Sequence, residues 1–269
     1  MKRKPNILFT ATFSTSFIQE DIALLKKNYS LSVIINYGIT TLLRYFKEIQ
    51  HNDVTFSWFA SVYSSLLIAF AKLFNKKSVL VLGGIDVADL KEYNYGIWNS
   101  RWKSIIVRYG IMHADVVLAV DEFIKKEAMR LAKYDGNNIR VLPTGYDGNF
   151  WQPHGKKESS VLMVASCPDM VRVKIKGVDF FLDVATHNPN VQFILVGVAE
   201  NISSQSQLQI PTNVKIIPKI SKNELLSHYQ KAKVYAQLSF REGLPNALCE
   251  AMLCECVPIG TNVGGIPTA

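Results

Sequence analysis

Short apolar runs alternate with helical patterns from one end of the chain to the other, and this alternation narrows the fold more than any other feature. Asn6–Ala11, 31–37, 54–59, 78–82, 115–120 and 138–142 read as strands. Between them, 18–27, 42–49, 60–74, 101–112 and 122–133 carry apolar residues at helical spacing. Near-continuous apolar strands joined by helices imply a parallel sheet covered on both faces. Right-handed crossovers then make it doubly wound. The texture changes over 143–157, PTGYDGNFWQPHGKK, which is rich in turn formers and marks a domain boundary. The pattern restarts beyond it, with strands over 160–165, 191–196, 213–217, 234–238 and 257–259. Helices there fall over 178–186, 222–231 and 246–254. The expected fold is α/β: two Rossmann-like doubly wound domains, 1–150 and 151–269. A ligand is expected in the cleft between them, at the carboxyl ends of the strands.

Charge bears on partners. Residues 1–150 hold 19 Lys/Arg against 13 Asp/Glu, while 151–269 hold 11 against 9. The basic first half suits an acidic partner such as anionic lipid headgroups or phosphates; an ordinary solvated surface is the alternative. The basic residues are scattered without a nucleic-acid motif, so nucleic acid is not expected as a partner. The stretch from Val54 to Ala71 is uncharged and long enough to suggest a membrane span. It contains Thr55, Ser57, Ser61, Ser64 and Ser65, however, and divides naturally into a strand and a helix. No signal peptide is apparent. The four cysteines, Cys167, Cys249, Cys254 and Cys256, lack zinc spacing and read as reduced packing residues of a cytoplasmic protein.

The densest chemical signal is the stretch from Arg241 to Met252, REGLPNALCEAM. A buried strand ends near Ser239, a turn carries Gly243 and Pro245, and a helix follows. Proline suits the first helical position, because its missing N–H costs nothing there. The unpaired amides of that helix start, together with the helix dipole, form an anion site. Glu242 precedes the helix and Glu250 lies about one turn inside it. Two carboxylates beside a phosphate-binding helix start suit a sugar nucleotide. Taken alone, the same residues also describe a helix with solvated glutamates.

The Glu242–Glu250 spacing, followed by Ala251-Met252 and then Val257-Pro258-Ile259-Gly260-Thr261-Asn262-Val263-Gly264-Gly265-Ile266-Pro267, resembles the retaining glycosyltransferase family 4. That family has an E-x7-E motif and the fold called GT-B. Weaker similarities cover 138–150, 113–127, Leu195-Val196-Gly197 and 78–88. The resemblance implies transfer of a sugar from a nucleotide-sugar donor to a glycan or lipid-linked acceptor. Configuration would be retained and no metal or other cofactor needed. It assigns Glu250 to the ribose, and Glu242 with the amides of Gly243, Leu244 and Asn246 to the donor sugar and phosphates. Gly197 would lie in the donor site. Lys176-Gly177 matches a K-G pair whose lysine contacts the diphosphate; a solvated lysine at a helix start is the alternative. Gly83, Gly84 and Asp86 would fall on the acceptor side.

Three departures from the family pattern stand out. The family's Gly-Arg after the strand ending at Ala165 is replaced by Ser166-Cys167 and a loop over 168–175. Arg172 or Lys174 would supply the missing charge, and Arg172 is preferred because a guanidinium grips phosphate bidentately. The histidine of a His-Gly-x-Asp motif is replaced by Gly83. The family pattern also continues beyond the point where this sequence stops, so the second domain is expected to be incomplete. Two other functions fit the same residues: a non-catalytic unit that binds nucleotide sugar, and a sugar-nucleotide epimerase. Peripheral contact with the inner face of an anionic membrane completes the expectation.

Overall fold

The computed structural model describes residues 3–203 and 208–269. The chain divides between Thr144 and Gly145 into two compact units.

The first unit holds a parallel sheet of β1 (Asn6–Ala11), β2 (Ser30–Ile35), β3 (Val54–Trp58), β4 (Lys77–Leu82), β5 (Val116–Ala119) and β6 (Ile139–Val141). The strand order is β2-β1-β3-β4-β5-β6. The order reverses between β1 and β3. Connections are α1 (Ser16–Lys26), α2 (Ile39–Glu48), α3 (Val62–Leu73), α4 (Arg101–His113) and α5 (Glu122–Ala132). The uncharged 54–71 segment does divide, into β3 and α3. Ser61 caps α3, accepting from the Ser64 amide while the Ser64 hydroxyl accepts from the Ser61 amide. That reciprocal cap starts the helix where the strand pattern ends. Among the described residues, no helix is long and apolar enough to cross a membrane. Leu8, Ile34, Tyr45, Ile49, Leu67 and Ala71 form a core on one face of the sheet.

The second unit holds β7 (Glu158–Cys167), β8 (Gln192–Val198), β9 (Val214–Ile217), β10 (Ala232–Gln237) and β11 (Val257–Gly260), in the order β11-β10-β7-β8-β9. Its helices are α6 (Met170–Lys176), α7 (Val178–Thr186), α8 (Glu200–Ser203), α9 (Lys222–Lys231) and α10 (Asn246–Leu253). Along β7, Met163 and Ala165 join one core while Leu162 and Val164 join the other. Residues of period two thus fill both faces, as a buried parallel strand requires. β11 is an edge strand exposed along its length.

One expected loop is a helix. Residues 168–175 carry α6, whose N-cap Asp169 accepts from the Arg172 amide at 2.8 Å. Val173 and Ile175 bury beneath it. Gly177, at φ 69°, ends α6 and turns the chain into α7.

Candidate active site

The site is built at the carboxyl end of the second sheet, where β7 and β10 lie side by side. Strands leave β7 in both directions, toward β8 on one side and β10 on the other. In an open α/β sheet the crevice at such a reversal is where ligands bind. The chain leaving β7 forms α6 and brings Lys176. The chain leaving β10 brings Glu242.

Three contacts fix that meeting. The Phe240 amide donates to the Ile175 carbonyl at 2.8 Å, which ties the loop after β10 to the last turn of α6. Gly177 packs so closely on Leu238 that a Cβ would strike its carbonyl oxygen, and its positive φ also favours glycine. Gly264, likewise at positive φ, packs against the Glu242 backbone. The glycine of the K-G pair and one glycine of the V-G-G-I-P run therefore both pack on the segment that carries Glu242. Thr261 adds a hydroxyl that donates to the Ser239 carbonyl at 2.6 Å.

Lys176 Nζ is ion-paired with Glu242 Oε1, and the two side chains are 15% and 13% exposed. The same oxygen accepts from Ser239 Oγ at 2.8 Å and Gln237 Nε2 at 3.0 Å. Gln237 Oε1 in turn accepts from the Tyr235 hydroxyl at 3.1 Å. Glu250, on α10, accepts from the Tyr229 hydroxyl at 3.2 Å. Burial first, and then the charges of Glu242 and Glu250, hold the Tyr235 phenol well above its usual pKa. Both carboxylates thus act on one buried tyrosine. Tyr229 is raised for a similar reason, burial foremost, with Tyr235 and Glu250 adding to it. The rings of Tyr229 and Tyr235 meet edge-on at 5.9 Å.

Pro245 is the N-cap residue of α10 rather than its first helical residue, and it provides no side-chain cap. A side-chain acceptor usually fills that position. Gly243 is buried and Leu244 half-buried in the turn leading into it. Asn246 opens the helix, and its Oδ1 accepts from the Tyr146 hydroxyl at 2.8 Å. The loop and helix after β10 thus carry a helix start without a side-chain cap and two carboxylates, one of them paired with a cation, a combination suited to a phosphorylated, polyhydroxylated ligand.

Arg172 lies one turn before Lys176 on α6, and both cations pull the Cys167 thiol downward. Burial outweighs them and raises it to about 11. All four cysteines are free thiols. Lys174 is paired with Asp179 at 2.6 Å and exposed. Gly197 lies in β8 at φ 101°, where a Cβ would come within 2.6 Å of the Ala165 carbonyl oxygen. Close packing of β8 on β7 accounts for that glycine.

In the first unit, the carboxylate of Asp86 is turned toward backbone amides. It is buried and accepts from the amides of Gly84 at 2.7 Å, Ala60 at 3.0 Å and Gly83 at 3.2 Å. Burial raises its pKa against the pull of those amides. Gly83 faces Phe59, whose ring a Cβ would meet at 2.5 Å.

Gln237, Ser239, Tyr229 and Tyr235 were not among the residues expected in the site. The signal for the first two was a Gln and a Ser at the end of an otherwise apolar strand. Nothing in the sequence pointed to the tyrosines, which read as core.

The fold is a pair of doubly wound parallel α/β units. A model of the family described as Glycosyl transferases group 1 matches residues 154–269, most of the second unit. No curated protein sequence matches the chain. Among solved structures, HepE of Anabaena in complex with UDP is similar with a TM-score of 0.70 and 15% identity. The similarity covers 98% of this chain and 82% of that one. Sucrose-phosphate synthase from Thermosynechococcus elongatus gives 0.77 and 13%, covering 98% and 83%. UDP-GlcNAc 2-epimerase from Methanocaldococcus jannaschii gives 0.56 and 11%, covering 97% and 85%. The two units are Rossmann-like parallel α/β domains of the GT-B kind, and the family match falls on the second of them.

Proposed function

We propose that this chain transfers a hexose from a nucleotide sugar to a glycan or lipid-linked acceptor, with retention of configuration. The observation that carries the reading is the Lys176–Glu242 pair beside the uncapped start of α10, with Glu250 further along the helix. Lys176, with Arg172 one turn away, neutralises charge developing on the departing diphosphate. The amides of Gly243, Leu244 and Asn246 hold the phosphates, and Gly197 lies along the donor. Glu242 receives its internal donors on Oε1, and its Oε2 accepts from the sugar hydroxyls. Glu250 accepts from the ribose. Gly83 and Gly84 serve the acceptor side, with Asp86 holding their loop in shape. The reaction uses no metal, so turnover should persist in excess chelator. The protein works in the cytoplasm, in peripheral contact with an anionic membrane.

A fold shared with an epimerase does not separate transfer from epimerisation, so the test must read products. A thermal-shift screen of UDP-, GDP- and ADP-sugars comes first, because a ligand that binds the native state raises its apparent stability. The stabilising donor is then incubated with glycan and lipid-linked acceptors. Sugar moved to an acceptor is the expected result. Binding without turnover, or an epimerised free nucleotide sugar, would replace the proposal.

A further inference from the structure

The first unit carries a surface that the donor chemistry leaves unexplained. α3 packs against both α2 and α4, and each of the three helices turns an apolar stripe away from the core. On α2, Ile39, Leu43 and Phe46 recur one turn apart, and Ile39 and Leu43 are 80% and 70% exposed. On α3, the positions opposite the buried side are Val62, Leu66 and Ala69, which are half-buried, and Leu73, which is 73% exposed. On α4 the stripe is Trp102, Ile105, Tyr109 and Met112, with Ile105 71% exposed. Phe46 meets Phe70 of α3 and Phe74 just beyond it edge-on at 5.8 and 5.3 Å, so α2 and the end of α3 are in aromatic contact. Gly110 of α4 sits against Ser65 of α3 without room for a Cβ. A surface helix ordinarily turns polar residues outward, and an apolar face spread over three neighbouring helices marks an interaction site.

Charge identifies the occupant. The three helices carry Arg44, Lys47, Lys72, Arg101, Lys103 and Arg108, all exposed, against a single acid, Glu48. A second copy docked by two-fold symmetry would set this cationic rim against itself. An anionic bilayer matches both parts. Apolar side chains enter the boundary between headgroups and acyl chains, while Lys and Arg reach lipid phosphates. Trp102 and Tyr109 are the aromatic types that favour that depth. α3, at 12 residues, is too short to span a bilayer, so the helices lie on it. We propose that the outer face of α2, α3 and α4 is a docking surface for an anionic lipid bilayer. This gives the proposed membrane contact a location, and it stands or falls separately from the donor site.

The test is flotation of the full chain with phosphatidylcholine vesicles, with and without phosphatidylglycerol. Binding should need the anionic lipid and should fall at least about tenfold in Leu43→Glu/Ile105→Glu, which loses two buried apolar contacts. Lys231→Glu, an equal charge change on α9 of the second unit, should move it less than about twofold. Acyl-brominated lipid should quench the emission of Trp102, and that quenching should vanish in Trp102→Phe. Melting temperature and nucleotide-sugar affinity are measured on the same variants; unchanged values separate loss of docking from misfolding and from failure of the donor site. Wild-type protein that ignores anionic vesicles, or a double variant that binds them as wild type does, would overturn the proposal. So would a wild-type dimer that Leu43→Glu/Ile105→Glu dissolves, since a second copy would then own the surface.

Discussion

Asp86 and Glu242 are both carboxylates in loops just beyond the carboxyl end of a strand, one in each unit, yet their surroundings differ. Asp86 is buried and its partners are backbone amides from its own loop and from the end of the neighbouring strand. No ligand can replace those amides without dismantling the loop. Glu242 is slightly exposed, and its partners are the side chains of Lys176, Gln237 and Ser239. Of these, Lys176 is itself partly exposed, at the end of α6, and can turn toward a ligand while the fold stays in place. Position matters as well. Asp86 follows β4, away from the reversal of strand order in the first sheet, whereas Glu242 follows β10, at the reversal in the second. A carboxylate held by backbone shapes a loop, and one held by side chains at a strand reversal is available for chemistry.

The largest expected effect tests the catalytic half of this contrast. Lys176→Ala should lower kcat/KM about 10²–10³-fold, the scale found when one donor to a developing negative charge is removed. The melting temperature should fall only moderately, because the carboxylate left without its cation keeps two neutral donors and some solvent contact. A large loss of stability with little loss of turnover would show the pair to be a structural ion pair.

Asp86→Ala tests the structural half and should give the reverse pattern. Three backbone amides lose their acceptor, so the first unit should be destabilised by roughly 2–4 kcal/mol. Hydrogen exchange localises the loss to that unit. Nucleotide-sugar affinity measured by calorimetry should be unchanged. Weakened donor binding in a folded Asp86→Ala protein would break the comparison, since both carboxylates would then serve one site.

Most of this organisation was legible in the sequence, and the exceptions have physical causes. β1 runs over Asn6–Ala11 and α7 over Val178–Thr186 as the residue pattern indicates. Apolar parallel strands and amphipathic helices declare themselves through period alone. α6 was hidden because Val171, Val173 and Ile175 alternate with Arg172, Lys174 and Lys176, a period-two pattern that reads as strand or loop. Its real signals are the Asp169 cap and Gly177, both local. In the site, the Glu242–Glu250 spacing and Lys176-Gly177 were visible as motifs. Tyr229 and Tyr235 were not, because a buried tyrosine looks like core until its hydroxyl partner is known. For Asp86 the sequence shows a carboxylate beside two glycines but not the backbone amides that surround it.

Glu250 sharpens the contrast further, because it is a carboxylate assigned to a single ligand group. Glu250→Ala should weaken nucleotide-sugar binding by roughly 1–3 kcal/mol, the cost of leaving ligand hydroxyls without an acceptor. Unchanged affinity in a folded protein would remove Glu250 from the donor site.

The smallest effect concerns Tyr229, one layer behind that carboxylate. Its hydroxyl donates to Glu250 Oε2 at 3.2 Å, while its ring packs among Trp151 and Tyr235. Tyr229→Phe keeps the ring and deletes only the donor. If the hydroxyl orients Glu250 toward the ligand, donor affinity should drop by about 0.5–1 kcal/mol, the net worth of one ordinary hydrogen bond. The drop should disappear when Glu250 is already Ala, because the hydroxyl then has no carboxylate to orient. A double-mutant cycle on calorimetric affinities measures this directly. Equal losses in the presence and absence of Glu250 would mean that Tyr229 supports the second unit's core and plays no part in placing the carboxylate.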